Sequence, residues 1–381
     1  MPTEIKNLKE AAERIISAVN SKEKIILYGD SDLDGVASVI ILEETIEFLG
    51  GKATKLYFPE RDKDGYGINE KALEYLRALA PALLISLDCG IGNFKEVETA
   101  KGFGFEVVII DHHEILPRVP EASIIVDPKQ KSDNYPFKQL STAGIAYKLS
   151  KAILSETGQS YNPESFLELA ALATIFDQMP LIDENKRLVE EGIQALAFTK
   201  RVGIKKLMEV SGLLERSVEE IRKRIISPLG SAEGQDHLNE AYLLLKEESP
   251  ERARALAEEL IARSRLRAAE IKRMFEEADS RVSEESIIFQ GDPNWTITLL
   301  GPIASKICQK YKKPAFLFKK EGKESIGAVR MPSGLDGVKA MISCEKLLET
   351  YGGHQAAAGF RIKNENLEKF KLCLLKYFEP L

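Results

Sequence analysis

At 381 residues the chain is too long for one ordinary core, so two domains with a connector are expected. Its 44% hydrophobic and 29% charged residues are those of a globular protein; no apolar run approaches membrane-spanning length and no secretory signal opens the chain, which makes the cytoplasm the expected compartment. A net charge of −6 excludes a general nucleic-acid-coating protein, but not an enzyme whose carboxylates are neutralised by bound cations.

In chain order, Met1 to Asn20 carries an amphipathic pattern (Leu8, Ala11, Ile15, Ala18). From Lys24 to Asp111 apolar runs alternate with helix-period stretches. Strands are predicted at Ile25–Tyr28, Ala53–Phe58, Ala82–Leu87 and Glu106–Ile110, with helices at Val36–Leu49, Asn69–Leu79 and Asn93–Phe103 between them. Such alternation argues for an α/β fold with a parallel sheet covered on both faces. A further short strand, Ser123–Val126, ends at Asp127-Pro128. After Ser141 the pattern turns helical, at Ala143–Leu154, Pro163–Phe176 and Lys186–Ala197, with shorter pieces to Ile226. Pro250–Val282 has no Gly or Pro after its first residue and reads as one long exposed helix joining two domains, its many charges a solvated face. Strand signals return at Ser286–Phe289, Ala315–Phe318, Glu324–Val329 and Ala357–Ile362, with helices at Pro302–Tyr311, Gly337–Met341 and Asn366–Tyr377, which makes a smaller α/β domain. Cys89, Cys308, Cys344 and Cys373 stand far apart with no C-x-x-C pair, so free thiols in a reducing compartment are expected.

Three clusters stand at the ends of predicted strands: Gly29-Asp30-Ser31-Asp32-Leu33-Asp34-Gly35, Leu87-Asp88-Cys89-Gly90 and Asp111-His112-His113. In an open α/β sheet the carboxyl ends of the strands share one crevice, where ligands bind. Two unit charges about 4 Å apart repel by about 4 kcal/mol at an effective dielectric near 20, so such a gathering is costly without a cation inside it. Carboxylates with one imidazole suit Mn²⁺ or Mg²⁺ better than a thiolate-seeking ion. One Asp-rich turn alone would be a solvated loop or a helix cap; three at three strand ends argue for a metal site. Asp177 closes the apolar helix that ends at Phe176, and is either a C-terminal turn residue or a group aimed into that site.

GDSDLDG, LDCGIGN, DHHE and ATIFDQMPL, in this order and at these separations, resemble motifs I to IV of the DHH phosphoesterase superfamily. Gly352-Gly353-His354-Gln355-Ala356-Ala357-Ala358-Gly359 resembles the signature of its companion DHHA1 domain, and LSTAGIAY (140–147), GPIASK (301–306) and GAVR (327–330) resemble the RecJ-type single-strand-specific exonuclease branch. The likeness covers nearly the whole chain. It implies a DHH domain over 1–198, a helical connector over 199–283, a DHHA1 domain over 284–381 and a cleft between the two domains. It also implies two divalent ions, Mn²⁺ with Mg²⁺ as the substitute, held by Asp30, Asp32, Asp34, Asp88, His112 and Asp177, with Asp88 bridging. Asp88, His112 and His113 are the implied catalytic residues; His113, Arg330, Gly352, Gly353 and His354 are the implied substrate contacts. The implied reaction is exonucleolytic release of nucleoside monophosphates from single-stranded DNA, 5′ to 3′.

The chain departs from that branch in three places. It lacks the usual oligonucleotide-binding barrel, ending at Leu381; Ser227–Gln235 carries no arginine where relatives have one; and Thr296 follows Trp295 where relatives have histidine, leaving Trp295 a core residue. These departures keep open a phosphodiesterase for short oligonucleotides, dinucleotides or a 3′-phosphorylated nucleotide, and a non-catalytic replication scaffold. The expected partner is single-stranded DNA or short oligonucleotides, with no membrane; the sequence names no protein partner.

Overall fold

A strand covered on both faces must be apolar throughout, and the run Ile25–Gly29 is buried at every residue. The computed structural model describes residues 4–60, 64–115, 118–158, 164–353 and 355–378, which fall into two units, 1–264 and 265–381. The first unit opens with α1 (Leu8–Asn20), β1 (Ile25–Gly29), α2 (Leu33–Phe48), β2 (Lys55–Tyr57), α3 (Glu70–Leu76), β3 (Ala82–Leu87), α4 (Phe94–Gly102), β4 (Phe105–Ile110) and β5 (Ile124–Val126). The five strands are all parallel, in the order β2-β1-β3-β4-β5. The chain runs outward from β1 to β2 and then returns to β3 on the other side of β1. That reversal sets the switch point of the sheet between β1 and β3, where a crevice opens at the carboxyl ends.

Helix α2 is buried at every residue from Leu33 to Glu43, so it is a core helix, enclosed rather than amphipathic. It begins three residues before the predicted Val36, because the Asp32 side chain caps it by accepting from the amides of Asp34 (3.0 Å) and Gly35 (3.2 Å). α5 (Thr142–Glu156) and α6 (Glu164–Phe176) pack on α2. α7 (Asp183–Leu196) and α8 (Val202–Ser211) follow, then the short hairpin of β6 (Gly234–Gln235) and β7 (Leu238–Asn239), and α9 (Glu240–Lys246). Asn239 Nδ2 donates to the Ser31 carbonyl at 2.8 Å and ties that hairpin to the Asp-rich turn.

α10 (Pro250–Asp279) is the predicted long helix, laced by exposed pairs such as Arg254–Glu258 (3.0 Å) and Lys272–Glu276 (3.9 Å). The second unit then holds β8 (Ile288–Asp292), α11 (Ile297–Tyr311), β9 (Ala315–Glu321), β10 (Glu324–Arg330), α12 (Gly337–Ser343), β11 (Leu348–Gly353), β12 (Ala357–Lys363) and α13 (Leu367–Phe378). Its sheet runs β11-β12-β10-β9-β8, with β8 parallel to β9 and the other pairs antiparallel. Phe316, Phe360 and Phe370 fill the core on one face, and Trp295 is buried on the other, its Nε1 donating to Glu277 (3.3 Å). Helix α11 starts five residues before the predicted Pro302. The proline cannot donate to the Thr298 carbonyl, and Arg267 Nη2 donates there instead (3.5 Å).

The expectation of free thiols fails for two of the four cysteines. Cys344, just past α12, and Cys373 in α13 form a disulfide with Cα atoms 6.1 Å apart, whereas Cys89 and Cys308 are free and buried. The partners are 29 residues apart, and they meet because α12 and α13 pack together, a contact that cysteine spacing does not encode.

Candidate metal centre

The site is built by a staircase of main-chain bonds across neighbouring strands. Each strand of the crevice ends in an aspartate whose amide donates to the last carbonyl of the next strand. Asp30 donates to Leu87 (3.0 Å), Asp88 to Ile110 (3.0 Å) and Asp111 to Val126 (3.1 Å). Three carboxylates are thereby fixed at successive strand ends. Asp88 takes a left-handed backbone (φ +64), which breaks the strand and re-aims its side chain. Gly35 has to be glycine, since a Cβ there would lie 2.3 Å from the Asp30 carbonyl.

Asp34 is fully buried in the first turn of α2 and faces the start of α5. The amides of Thr142 and Ala143 donate to its two oxygens, each at 2.8 Å, so a helix N-terminus cradles the carboxylate. Thr142 Oγ1 also donates to Asp88 Oδ1 at 2.9 Å. Burial, reinforced by Asp177 and Asp32, pushes the Asp34 carboxyl well above the usual range, and the helix amides only moderate this. Burial and then the neighbouring Asp34, Asp32, Asp177 and Asp30 push Asp88 up likewise.

His112 is buried, and its Nδ1 lies 3.1 Å from the Leu140 carbonyl. A carbonyl can only accept, so Nδ1 carries the hydrogen and Nε2 turns to the acids. Nε2 lies 3.1 Å from Asp177 Oδ2, 3.4 Å from Asp88 Oδ1 and 3.8 Å from Asp34 Oδ2. Asp177 is therefore aimed inward, the second of its two sequence readings. Three overlapping groups each bring their donor atoms within 4.8 Å of one another: Asp30/Asp32/Asp88, Asp34/His112/Asp177 and Asp88/His112/His113. Each of the six proposed ligands belongs to at least one group.

His113 joins Asp88 and His112 in the last of those groups. Its Nδ1 donates to Asp111 Oδ1 at 2.7 Å, and Asp111 also accepts from the amides of Ile91 (3.1 Å), His112 (2.8 Å) and His113 (3.2 Å). Burial works against a charged His113 ring, but the Asp111 carboxylate outweighs it and raises the imidazole to about 9. Asp111 in turn is held below the usual carboxylate range: burial opposes its charge, and His113 more than compensates. The Tyr66 hydroxyl donates to the Asp88 carbonyl (3.1 Å) and lies 3.2 Å from the His113 ring nitrogens.

The second unit places Arg330, Gly352 and Gly353 at one end of its sheet. Arg330 pairs with Ala357, and in the next row Ala358 of β12 pairs with Val329 on one side and Gly353 on the other. Arg330 Nε donates to Ser305 Oγ (3.0 Å), and Gly301 lets the guanidinium approach α11, since a Cβ there would lie 2.8 Å from Nη2. Burial lowers the Arg330 pKa. Gly352 and Gly353 end the edge strand β11, and His354 lies outside the described residues. The sequence marks Asp111 as the acid of a strand-end cluster but not as the partner of His113, and it points to no role for Tyr66, Leu140, Thr142 or Ala143. For Thr142 and Ala143 a signal existed in Ser141, which caps α5 by accepting from the Gly144 amide (3.2 Å).

Residues 24–174 match the DHH family, N-terminal domain, and residues 284–379 match the DHHA1 domain. The chain is 34% identical over 374 residues to the single-stranded-DNA-specific exonuclease RecJ of Bacillus subtilis (strain 168), covering 96% of this chain and 47% of that protein. It is 30% identical over 414 residues to the putative SPbeta prophage-derived single-strand DNA-specific exonuclease YorK of the same strain, covering 97% and 69%. The crystal structure of exonuclease RecJ bound to manganese superposes with a TM-score of 0.82 at 29% identity, covering 99% of this chain and 96% of that one. The chain thus belongs to the DHH/DHHA1 phosphoesterase superfamily, in its RecJ-like branch. It spans about half the length of the RecJ proteins of Bacillus subtilis and Thermus thermophilus, 47% and 54% respectively.

Proposed function

We propose that the chain is a two-metal-dependent phosphodiester hydrolase, a RecJ-like exonuclease that degrades single-stranded DNA from the 5′ end to nucleoside monophosphates. The observation that carries this reading is the convergence of Asp34, Asp88 and Asp177 on His112 Nε2, whose other nitrogen is committed to a carbonyl. Acceptors facing acceptors in a buried crevice are stable together when a cation sits among them. Oxygen donors with one imidazole fit Mn²⁺ or Mg²⁺. Asp30, Asp32, Asp34, Asp88, His112 and Asp177 would hold two such ions, with Asp88 between the two donor groups. Bound there, divalent ions would supply Lewis acidity that lowers the pKa of a water nucleophile toward neutral pH and offsets charge on the attacked phosphoryl group.

The chain's own residues do the rest. The N-terminus of α5 and the strand-end staircase fix the carboxylates before substrate arrives, so no rearrangement accompanies the chemistry. His113, oriented by Asp111, offers a hydrogen bond or proton to the developing charge. Arg330, Gly352, Gly353 and His354 receive the substrate backbone. The 5′ to 3′ direction and a cytoplasmic setting belong to the same proposal. Among the described residues no helix is long and apolar enough to cross a membrane. The net charge of −6 also favours a second reading, in which short oligonucleotides or dinucleotides are the substrates, since a negative surface opposes a long polyanion.

A panel of 5′- and 3′-labelled DNA, RNA and dinucleotides, tested after chelation and after return of Mn²⁺ or Mg²⁺, decides the matter. Mononucleotides released from the 5′ end of single-stranded DNA on Mn²⁺ return are expected, together with two Mn²⁺ per chain by equilibrium dialysis. Rates falling steeply beyond a few nucleotides would move the assignment to the short-substrate reading. Two bound ions with no hydrolysis of any substrate would reject both.

A further inference from the structure

We propose that the second unit carries a nucleoside monophosphate site of its own, in a cavity apart from Arg330. The cavity, of ≈ 590 Å³, lies where several chain segments meet: before β8, before β9, after β10, before β12 and at the end of α13. Small-ligand pockets occupy roughly 300–1,000 Å³. Its lining brings together Ser286, Lys312, Leu335, Lys339, Gln355 and Tyr377. Arg330 is turned away from it. That side chain reaches Ser305 on α11, whereas its neighbour Val329, on the opposite face of β10, packs in the cluster that holds residues of α12 and α13.

Each part of such a nucleotide finds a counterpart. Lys312 has no carboxylate within ion-pair distance among the described residues, so its ammonium is available to a phosphate. Lys339 reaches Asp336 at 3.5 Å, and the other oxygen of Asp336 accepts from the Lys339 amide at 3.0 Å, so the one carboxylate in the lining is already satisfied. Tyr377 is 43% exposed and braced edge-to-face by Phe378 (5.0 Å, 82°), and Leu335 is 38% exposed, which gives a planar base an aromatic wall and an apolar neighbour. Two cations, the Gln355 amide and an exposed ring match a phosphate, a sugar and a base.

Titration of the full chain with AMP in chelator, followed by calorimetry and by NMR, tests this without turnover. AMP is expected to bind at least tenfold more tightly than inorganic phosphate or adenosine. The paired change Lys312→Ala with Lys339→Ala should weaken AMP at least tenfold. Arg330→Ala and Asp88→Ala should leave the AMP-induced NMR shifts of Tyr377, which lines the cavity, unchanged. No AMP binding by the wild-type chain, binding indifferent to the lysine pair, or loss of the Tyr377 shifts in Arg330→Ala or Asp88→Ala would each overturn the proposal. Inorganic phosphate binding as tightly as AMP would reduce the cavity to an anion site and reject the nucleotide. These outcomes do not depend on whether the metal centre hydrolyses DNA.

Discussion

Two sheet ends carry the residues proposed for the site, and they are built on opposite plans. In the first unit the carboxylates are buried, crowded and locked by main-chain amides: Asp30, Asp88 and Asp111 by their neighbours' carbonyls, Asp34 by the start of α5. In the second unit Arg330 is tied by one hydroxyl and one carbonyl, and Gly352 and Gly353 sit on an edge strand. A cation site needs several like charges held together against their repulsion, so the backbone must be arranged around it. A phosphate contact needs one reaching donor and a nearby amide, so it tolerates a looser frame. The crevice is therefore where substitution should be most costly, and the edge where it should be graded.

The largest effect that would test this contrast is Asp88→Ala. Turnover is expected to fall by about a thousandfold or more, as when a group shared by two ions is lost. Bound Mn²⁺ should drop below two per chain. In chelator the same variant should be more stable than wild type, by about 1–3 kcal/mol in urea unfolding, because a crowded buried carboxyl has been removed. Wild-type turnover would contradict a bridging role, and a less stable apo-protein would contradict the view that the acids repel one another. Next in size, Arg330→Ala should raise KM for a labelled oligonucleotide about tenfold while kcat changes little. A collapse of kcat comparable to that of Asp88→Ala would erase the distinction between the two sheet ends.

What could be read from the sequence follows the same division. The parallel sheet, the order of its strands along the chain and the acid at each strand end were legible, because buried strands are apolar runs and a polar residue at their end breaks the pattern. Asp177 was legible as a charge closing an apolar helix, but its direction was not, since that depends on how α6 lies beside His112. The cradle at Thr142 and Ala143 was hidden because main-chain amides carry no side-chain signature. Strand β11 was missed because Leu348–Gly353 is an exposed edge with two glycines and no apolar alternation. The early start of α2 was missed because Leu33-Asp34-Gly35 resembles a turn, until Asp32 is seen to cap a helix. The disulfide was missed for want of any signal that α12 and α13 pack together.

A finer test of the cradle is Thr142→Val, which keeps the shape and the amide bond to Asp34 but removes the hydroxyl that donates to Asp88. A fall in kcat of about fivefold is expected, equivalent to about 1 kcal/mol for one lost hydrogen bond, with Mn²⁺ stoichiometry retained. Unchanged kcat would mean that the staircase alone positions Asp88.

The smallest effect concerns a carboxyl at the margin of the crevice that no proposed step uses. Asp127 follows β5, is fully buried, accepts from the Lys129 amide at 2.7 Å and has a second oxygen with no partner among the described residues. Burial, helped by Asp111, pushes its carboxyl up to about 8. Because the folded-state value lies above the unfolded one, its contribution to stability is complete below about pH 4 and is lost as pH rises from there through 8. Asp127→Asn mimics the protonated carboxyl at every pH and keeps the acceptor for Lys129. In chelator, the variant and wild type should therefore unfold at similar urea concentrations near pH 4, and the variant should gain a few kcal/mol by pH 9. The other crevice carboxyls titrate in both proteins, so the difference between the two curves isolates Asp127. A constant difference from pH 4 to 9 would show that this carboxyl ionises as readily folded as unfolded, and that the crowding of charge stops short of β5.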